Sequence, residues 1–358
     1  MKNLLPPIAG VFVIMALSNA VVPVLPAFGE GSVLQGIIFS AYFFGALITV
    51  FPAGYASDRI GPTPLIQTGL VITLLSGMIL IFVGSPLLII LARFIEGIGA
   101  GLFIASAMSL LNARPDHTRL AGYFMAALNA GLLAGLAGTG WIVSILSDPR
   151  AGLFVFTILS GIVCILAVRM DERVGKKAAP SNIPFYLTEY RWLWYSAIII
   201  VGTTGALTSL YPEFGGHNPL LTGVFIASMN LATMVSVLIV SRFRLEPIIT
   251  IRIAAVGVGS AALLCLISPW GFPIMGAFAG FAIIAQMTFL AGTGAPQGIM
   301  MGILNTSTYG GLALLPFFAG FIAEFGTFTM AFLFPALLTI TVAVTIGQCR
   351  CSLPPRLQ

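Results

Sequence analysis

Gly54-Tyr55-Ala56-Ser57-Asp58-Arg59-Ile60-Gly61 is a small island of charge between two long apolar runs. Residues 31–57 hold no Asp, Glu, Lys or Arg, and residues 60–92 hold none either. Crossing a bilayer takes about 20 mainly apolar residues, so each run is long enough for a membrane helix. The stretch reads as a turn between two such helices, one ending at Gly54 and the next beginning near Pro64. Gly54 suits a close approach of the first helix to a neighbour, and Gly61 suits the turn itself.

The 358 residues are 58% hydrophobic and only 8% charged, with a mean hydropathy of +1.06. Soluble domains carry roughly a quarter charged residues, which makes this a polytopic membrane protein. Charge-free runs and Gly/Pro breaks divide it into twelve spans near residues 5–28, 33–53, 64–83, 86–111, 120–146, 150–168, 192–211, 219–240, 250–268, 272–292, 297–323 and 327–347. The charge-free run 253–323 must hold three of them, broken at Ser268-Pro269-Trp270-Gly271 and at Gly292-Thr293-Gly294-Ala295-Pro296, where proline and glycine supply turn chemistry. The uncharged run from Asn3 to Gly29 is too long for the apolar region of a signal peptide and reads as the first span.

Lys and Arg set the orientation. With the N-terminus inside, one side receives Lys2, Arg59, Arg114, Arg119, Arg169, Arg173, Lys176, Lys177, Arg191, Arg242, Arg244, Arg252, Arg350 and Arg356, and the other receives only Arg150. This asymmetry supports an even number of spans and places both termini in the cytosol, as for a multi-pass plasma-membrane protein. It also accounts for the net charge of +5 without nucleic acid, since no basic cluster with interleaved aromatics occurs. The four cysteines, Cys164, Cys265, Cys349 and Cys351, are too few for a disulfide framework and read as reduced thiols.

The one extended polar segment, residues 169–191, separates a bundle of six spans (1–168) from a second bundle of six (192–358). The halves are repeats. Gly122-x5-Leu128-Asn129-x5-Gly135-Leu136-Ala137 in span 5 recurs as Gly298-x5-Leu304-Asn305-x5-Gly311-Leu312-Ala313 in span 11. Likewise Gly97-x3-Gly101-x6-Met108 in span 4 recurs as Gly276-x3-Gly280-x6-Met287 in span 10.

Arg93 and Glu96 are the ionisable residues that fall well inside a span. Three residues apart, they share one helix face and can pair. Charge at membrane depth is costly, so such groups face an interior or water and are functional by default. Mid-span amides form a second group: Asn19, Asn129, Asn230, Gln286 and Asn305 fall in spans 1, 5, 8, 10 and 11, whereas spans 3, 6, 9 and 12 have none at mid-depth. Polar amides avoid lipid, so the first set is expected to line a cavity, with Tyr42, Tyr123 and Tyr309 as aromatic walls. A second use of each amide is hydrogen bonding between helices.

The spacing Gly54-x3-Asp58-Arg59-x-Gly61 after a second span resembles the signature loop of the major facilitator superfamily of transporters, and the six-plus-six repeat agrees with that class. The resemblance extends over the whole chain. It implies an all-α fold of twelve transmembrane helices in two pseudo-symmetric bundles, with the substrate site at their interface. It also implies that Asp58 ties the halves together at the cytoplasmic side, where helix N-termini favour an anion. Gln297 and Gly298 at the start of span 11 are the expected receivers, with Arg114 or Arg119 orienting the acid and Arg59 beside it in the same cytoplasmic gate. Pro62-Thr63-Pro64 follows Gly61 where the family has basic residues, and the second half keeps only Ser241-Arg242-x-Arg244, so one weak latch is expected.

Arg93-Phe94-Ile95-Glu96-Gly97 followed by Gly99 and Gly101 is similar to the family's span-4 motif, which implies a part in proton coupling. Glu96 would carry the proton and Arg93 would tune its proton affinity, while a static ion pair that only fixes packing is the alternative. Gly122-x8-Gly131-x3-Gly135 with Gly138 and Gly140 partly matches the glycine motif of drug–proton antiporters, departing at Leu136 and Thr139. Ordinary small-residue packing serves the same spacing.

No enzyme constellation and no G-x4-G-K-[ST] phosphate loop occurs, so no cofactor is expected and ATP is not the energy source. The expected function is secondary transport by a monomer, with proton-coupled export of a small lipophilic or weakly polar compound preferred. Proton-linked or facilitated uptake of a small metabolite is the alternative, and a channel or non-transporting scaffold is the competitor from another class.

Overall fold

The computed structural model describes residues 5–114, 116–170, 183–243, 245–293 and 297–348. Twelve helices among these residues are long and apolar enough to cross a membrane, and no strand occurs among them. The first six are α1 (Leu5–Phe28), α2 (Ser32–Ile60), α3 (Pro62–Phe82), α4 (Pro86–Asn112), α5 (His117–Leu133, carried on through Thr139–Leu146) and α6 (Ala151–Val168). A short helix, Ile183–Glu189, precedes α7 (Arg191–Phe214), α8 (Pro219–Val240), α9 (Pro247–Leu264), α10 (Gly271–Ala291), α11 (Gln297–Phe325) and α12 (Phe328–Thr345). Proline opens α3, α4, α8 and α9, where its missing N–H costs nothing. Asn218 Oδ1 caps α8 by accepting from the Leu221 amide at 2.8 Å, and Thr327 Oγ1 does the same for α12 at Met330.

The stretch 54–61 differs from its reading. Helix α2 does not stop at Gly54 but continues to Ile60, and the turn is Gly61 alone, at φ +90°. Nothing in Tyr55 to Ile60 breaks a helix, and Pro52, inside α2, is tolerated as prolines in membrane helices are. Arg59 therefore projects from the last helical turn, with its guanidinium 4.4 Å from the Tyr55 ring centroid. A Cβ added at Gly54 would meet nothing within 4 Å among the described residues, so close packing is not what this glycine provides.

The chain divides into two compact units, Met1–Ala179 with Tyr211–Ala227, and Pro180–Leu210 with Ser228–Gln358. The tip of the α7–α8 hairpin thus belongs to the first unit.

Within each unit glycines mark where helices touch. In the first, α4 lies on α2 with Gly97 against the Tyr42 carbonyl and Gly45 against the Phe94 carbonyl. Helix α5 lies on α1 with Gly131 and Gly135 against the carbonyls of Phe12 and Ala16. In the second, α10 lies on α8 with Gly276 against the Met229 carbonyl, and α11 lies on α7 with Gly311 against the Ile198 carbonyl. The glycines that repeat in sequence, Gly97 with Gly276 and Gly135 with Gly311, thus do the same job in corresponding helix pairs. The remaining spans present apolar faces outward: Val71, Leu75 and Met78 on α3, Phe154, Ile158 and Ile162 on α6, and Met330, Leu333, Leu337 and Ile340 on α12.

Candidate functional site

The buried charge of the first unit sits on α4. Arg93 Nη1 donates to Glu96 Oε2 at 2.6 Å, and the two side chains are 1% and 0% exposed. The Arg93 guanidinium also stacks 4.7 Å from the centroid of the Tyr42 ring on α2, a favourable site for a cation on an aromatic face. This contact depends on the glycine seam: the α2 backbone beside Tyr42 leaves no room for a Cβ at position 97. Arg93 Nε and Glu96 Oε1 have no hydrogen-bond partner among the described residues. A buried polar atom without a partner carries its full desolvation cost, and on a carboxylate it is an atom able to take a proton while the other oxygen stays on arginine. The corresponding positions of α10 are Phe272 and Met275, both fully buried.

The predicted gate residues are placed unevenly. Residues 58, 297 and 298 are described as helical backbone only, so the latch of Asp58 onto Gln297 and Gly298 lies outside the described residues. Arg114 follows the end of α4 and is half-buried. Arg119 is exposed and donates to the Tyr123 hydroxyl at 2.9 Å, one turn along its own helix.

The amides separate into two kinds. Gln286 is buried and donates to Ser196 Oγ at 3.0 Å, joining α10 to α7. Asn19 and Asn129 are half-buried and bond the carbonyls of Met15 and Met125 at 3.0 and 2.8 Å, each four residues back on its own helix. Asn19 also borders Gly135 at the α1–α5 seam. Asn230 is half-buried, Asn305 is exposed and Tyr309 is half-buried. A five-residue π step, Ala134–Gly138, interrupts α5 beside this seam; such bulges are frequent at functional sites.

Glu213 escaped the sequence reading. It lies in the last turn of α7, and Ser32 Oγ at the start of α2 donates to its Oε2 at 2.8 Å. The seventh span reads as ending at Tyr211, but the helix runs on through Pro212 to Phe214. The useful signal was the acid itself, next to an apolar run. Two contacts within the first unit hold the tip of the same hairpin: Gly140 lies against the Pro219 carbonyl and Gly223 against the Leu136 carbonyl.

Among curated proteins, a multidrug resistance protein, MdtL, of Citrobacter koseri is 31% identical over 143 residues, covering 37% of this chain and 34% of that protein. A homolog of the multi-drug resistance efflux pump PmrA of Lactococcus lactis is 31% identical over 105 residues, covering 28% and 26%. The chain thus matches about a third or less of the length of these relatives. Among solved structures, the nucleoside transporter NupG superposes with a TM-score of 0.76 at 14% identity, covering 98% of this chain and all of that one. The fucose:proton symporter FucP of E. coli gives 0.62 at 17% identity, covering 97% and 98%. Their likeness is one of fold. A family model described as the Major Facilitator Superfamily matches residues 8–296, and the chain belongs to that superfamily.

Proposed function

We propose that the protein is a secondary active transporter working by alternating access, which exports a small lipophilic or weakly polar compound in exchange for protons. The observation that carries this is the sealed Arg93–Glu96 pair on α4, with one carboxylate oxygen unpartnered and Tyr42 ready to hold the cation. Protonation at Glu96 Oε1 discharges the acid, and the guanidinium keeps its place on the aromatic face. That is a two-state element a proton can bias. Glu96 is the proposed proton carrier, and Arg93 the group that sets its affinity. The names of the Citrobacter and Lactococcus relatives support export, since both are called drug-resistance proteins.

Asn19 and Asn129 in the first repeat, and Asn230 and Asn305 in the second, are the proposed substrate contacts, with Tyr309 as a proposed aromatic wall. Gln286 is assigned to helix packing through Ser196. The end of α2 bearing Asp58 and Arg59, turned by Gly61, is proposed to face the cytosol as a gate, with both termini on that side and the chain working as a monomer in the plasma membrane.

The test is flux in proteoliposomes with an imposed pH gradient, across cationic dyes and neutral metabolites. Glu96→Gln is expected to abolish accumulation driven by the gradient while exchange of substrate without a gradient persists. Unchanged accumulation and pH dependence in this variant would reduce the pair to a packing device. Accumulation along the proton gradient rather than against it would identify uptake instead.

A further inference from the structure

The second unit carries two neighbouring apolar grooves that meet beside a cation, Arg252. The first, of about 550 Å³, runs along α9 and α10 and is lined by Arg252, Val256, Ser260, Leu264, Ile274 and Phe278. The second, of about 510 Å³, runs between α8 and α10 and includes Val235, Ile239, Phe243 and Phe281. Ile253, the neighbour of Arg252, lines both. Phe278 and Phe281, one turn apart on α10 with ring centroids at 5.8 Å, wall one groove each.

Arg252 is the sixth residue of α9, so it sits roughly 8 Å inside a candidate membrane span at 1.5 Å per residue. It is exposed, lies against Gly347 past the end of α12, and forms no ion pair or hydrogen bond among the described residues. A cation at that depth requires an anion or must reach for the interface. The first groove extends from Arg252 to Leu264, twelve residues or about 18 Å, close to the roughly 15 Å of hydrocarbon in one leaflet.

We propose that these grooves form a binding site for one anionic diacyl phospholipid, with its phosphate on Arg252 and one acyl chain in each groove. Charge, length and the doubling of the groove about Ile253 all fit that occupant. A single-chain amphiphile would leave one groove empty, and a zwitterionic headgroup would add a second cation beside Arg252. The site lies wholly within the second unit and does not depend on the transport reading.

The experiment uses the full-length protein, delipidated in detergent, with phosphatidylglycerol or phosphatidylcholine of equal chain length as the probe. Native mass spectrometry counts bound lipid, and thermal unfolding reports stabilisation. Phosphatidylglycerol is expected to bind saturably, one per chain, and about fivefold more tightly than phosphatidylcholine, as one basic group near a membrane surface provides. Arg252→Gln removes that preference, and Arg252→Lys keeps most of it. Val256→Trp, an exposed change that fills the first groove, weakens phosphatidylglycerol binding while Arg252 remains. Equal affinity for the two lipids, or a preference that survives Arg252→Gln, overturns the proposal. Competition by inorganic phosphate as effective as by the lipid shows a simple anion site and overturns it too. Failure of Arg252→Gln to fold leaves the lysine and tryptophan variants to decide.

Discussion

Alanine at the repeat glycines gives the sharpest test of how the two units are built. A Cβ at Gly97 or Gly276 would collide with the carbonyl of Tyr42 or Met229, and one at Gly135 or Gly311 with that of Ala16 or Ile198. Backbone carbonyls in a helix cannot swing aside as side chains do, so the helices must part. Overpacking of this kind costs about 1–3 kcal/mol. At Gly54, Gly122 and Gly302 the same Cβ meets nothing within 4 Å among the described residues. There alanine gains helix propensity of up to about 1 kcal/mol. The two classes should separate by about 2 kcal/mol, a factor of roughly thirty in the folded-to-unfolded ratio. Unfolding in mixed detergent, followed by the fluorescence of the four tryptophans, measures this directly. Equal costs for Gly122→Ala and Gly135→Ala, which belong to one glycine series, would refute this. So would a difference between Gly97→Ala and Gly276→Ala as large as that between the two classes.

Three further outcomes follow from single contacts. The Gln286–Ser196 bond joins α10 to α7, so a double-mutant cycle with Gln286→Leu and Ser196→Ala should show coupling of about 0.6 kcal/mol and no more than about 1.7; zero coupling would release Gln286 for another role. Ser32 donates to a carboxylate at Glu213, and hydrogen bonds to charged groups are worth about 1.5–3 kcal/mol. Ser32→Ala and Glu213→Gln should therefore be non-additive in stability, and additive losses would show that the two side chains do not meet. Removing one member of the Arg93–Glu96 pair leaves the other buried alone, typically at about 3–5 kcal/mol. A lone carboxyl can discharge by taking a proton and a guanidinium cannot, so the loss in Arg93→Gln should shrink in acid buffer while that in Glu96→Gln does not; parallel pH curves would contradict this.

The twelve spans were legible because charge is so sparse that nearly every Lys, Arg, Asp or Glu outside the Arg93–Glu96 pair marks the end of a span. The repeat was legible because close backbone contacts admit only glycine, and the same contacts occur twice. The Arg93–Glu96 pair followed from helical spacing alone. Helix ends were less legible: α2 runs past Gly54 to Ile60 and α7 past residue 211 to Phe214, with Pro52 and Pro212 inside them, because a membrane helix has neighbours that satisfy the freed carbonyl. The charged stretch 54–61 reads as a turn although its residues continue α2 to Ile60, and Glu213 lies just past the span that reads as ending at residue 211. The direction in which an amide points was also hidden. Gln286 and Asn305 look alike in sequence, yet one is buried on a serine of its own unit and the other is exposed. Periodicity reports how polar a face is but not which neighbour it meets.

The internal repeat also helps to decide what the buried charge is for. The α4–α2 contact at Gly97 and the α10–α8 contact at Gly276 share one geometry, yet Arg93, Glu96 and Tyr42 are matched by Phe272, Met275 and Met229. The same seam thus closes in the second unit on apolar side chains, so close packing of these helices does not require an ion pair. Replacing a buried pair by hydrophobic residues of similar size is often neutral or stabilising, by about 1–4 kcal/mol. Copying the second repeat into the first, with Arg93→Phe and Glu96→Met together, should therefore leave stability unchanged or raised. Transport driven by a pH gradient should disappear in the same protein. A folded, stabilised and fully coupled double variant would show the pair to be dispensable for coupling, and a protein that unfolds would show that the first seam, unlike its twin, is held together by charge.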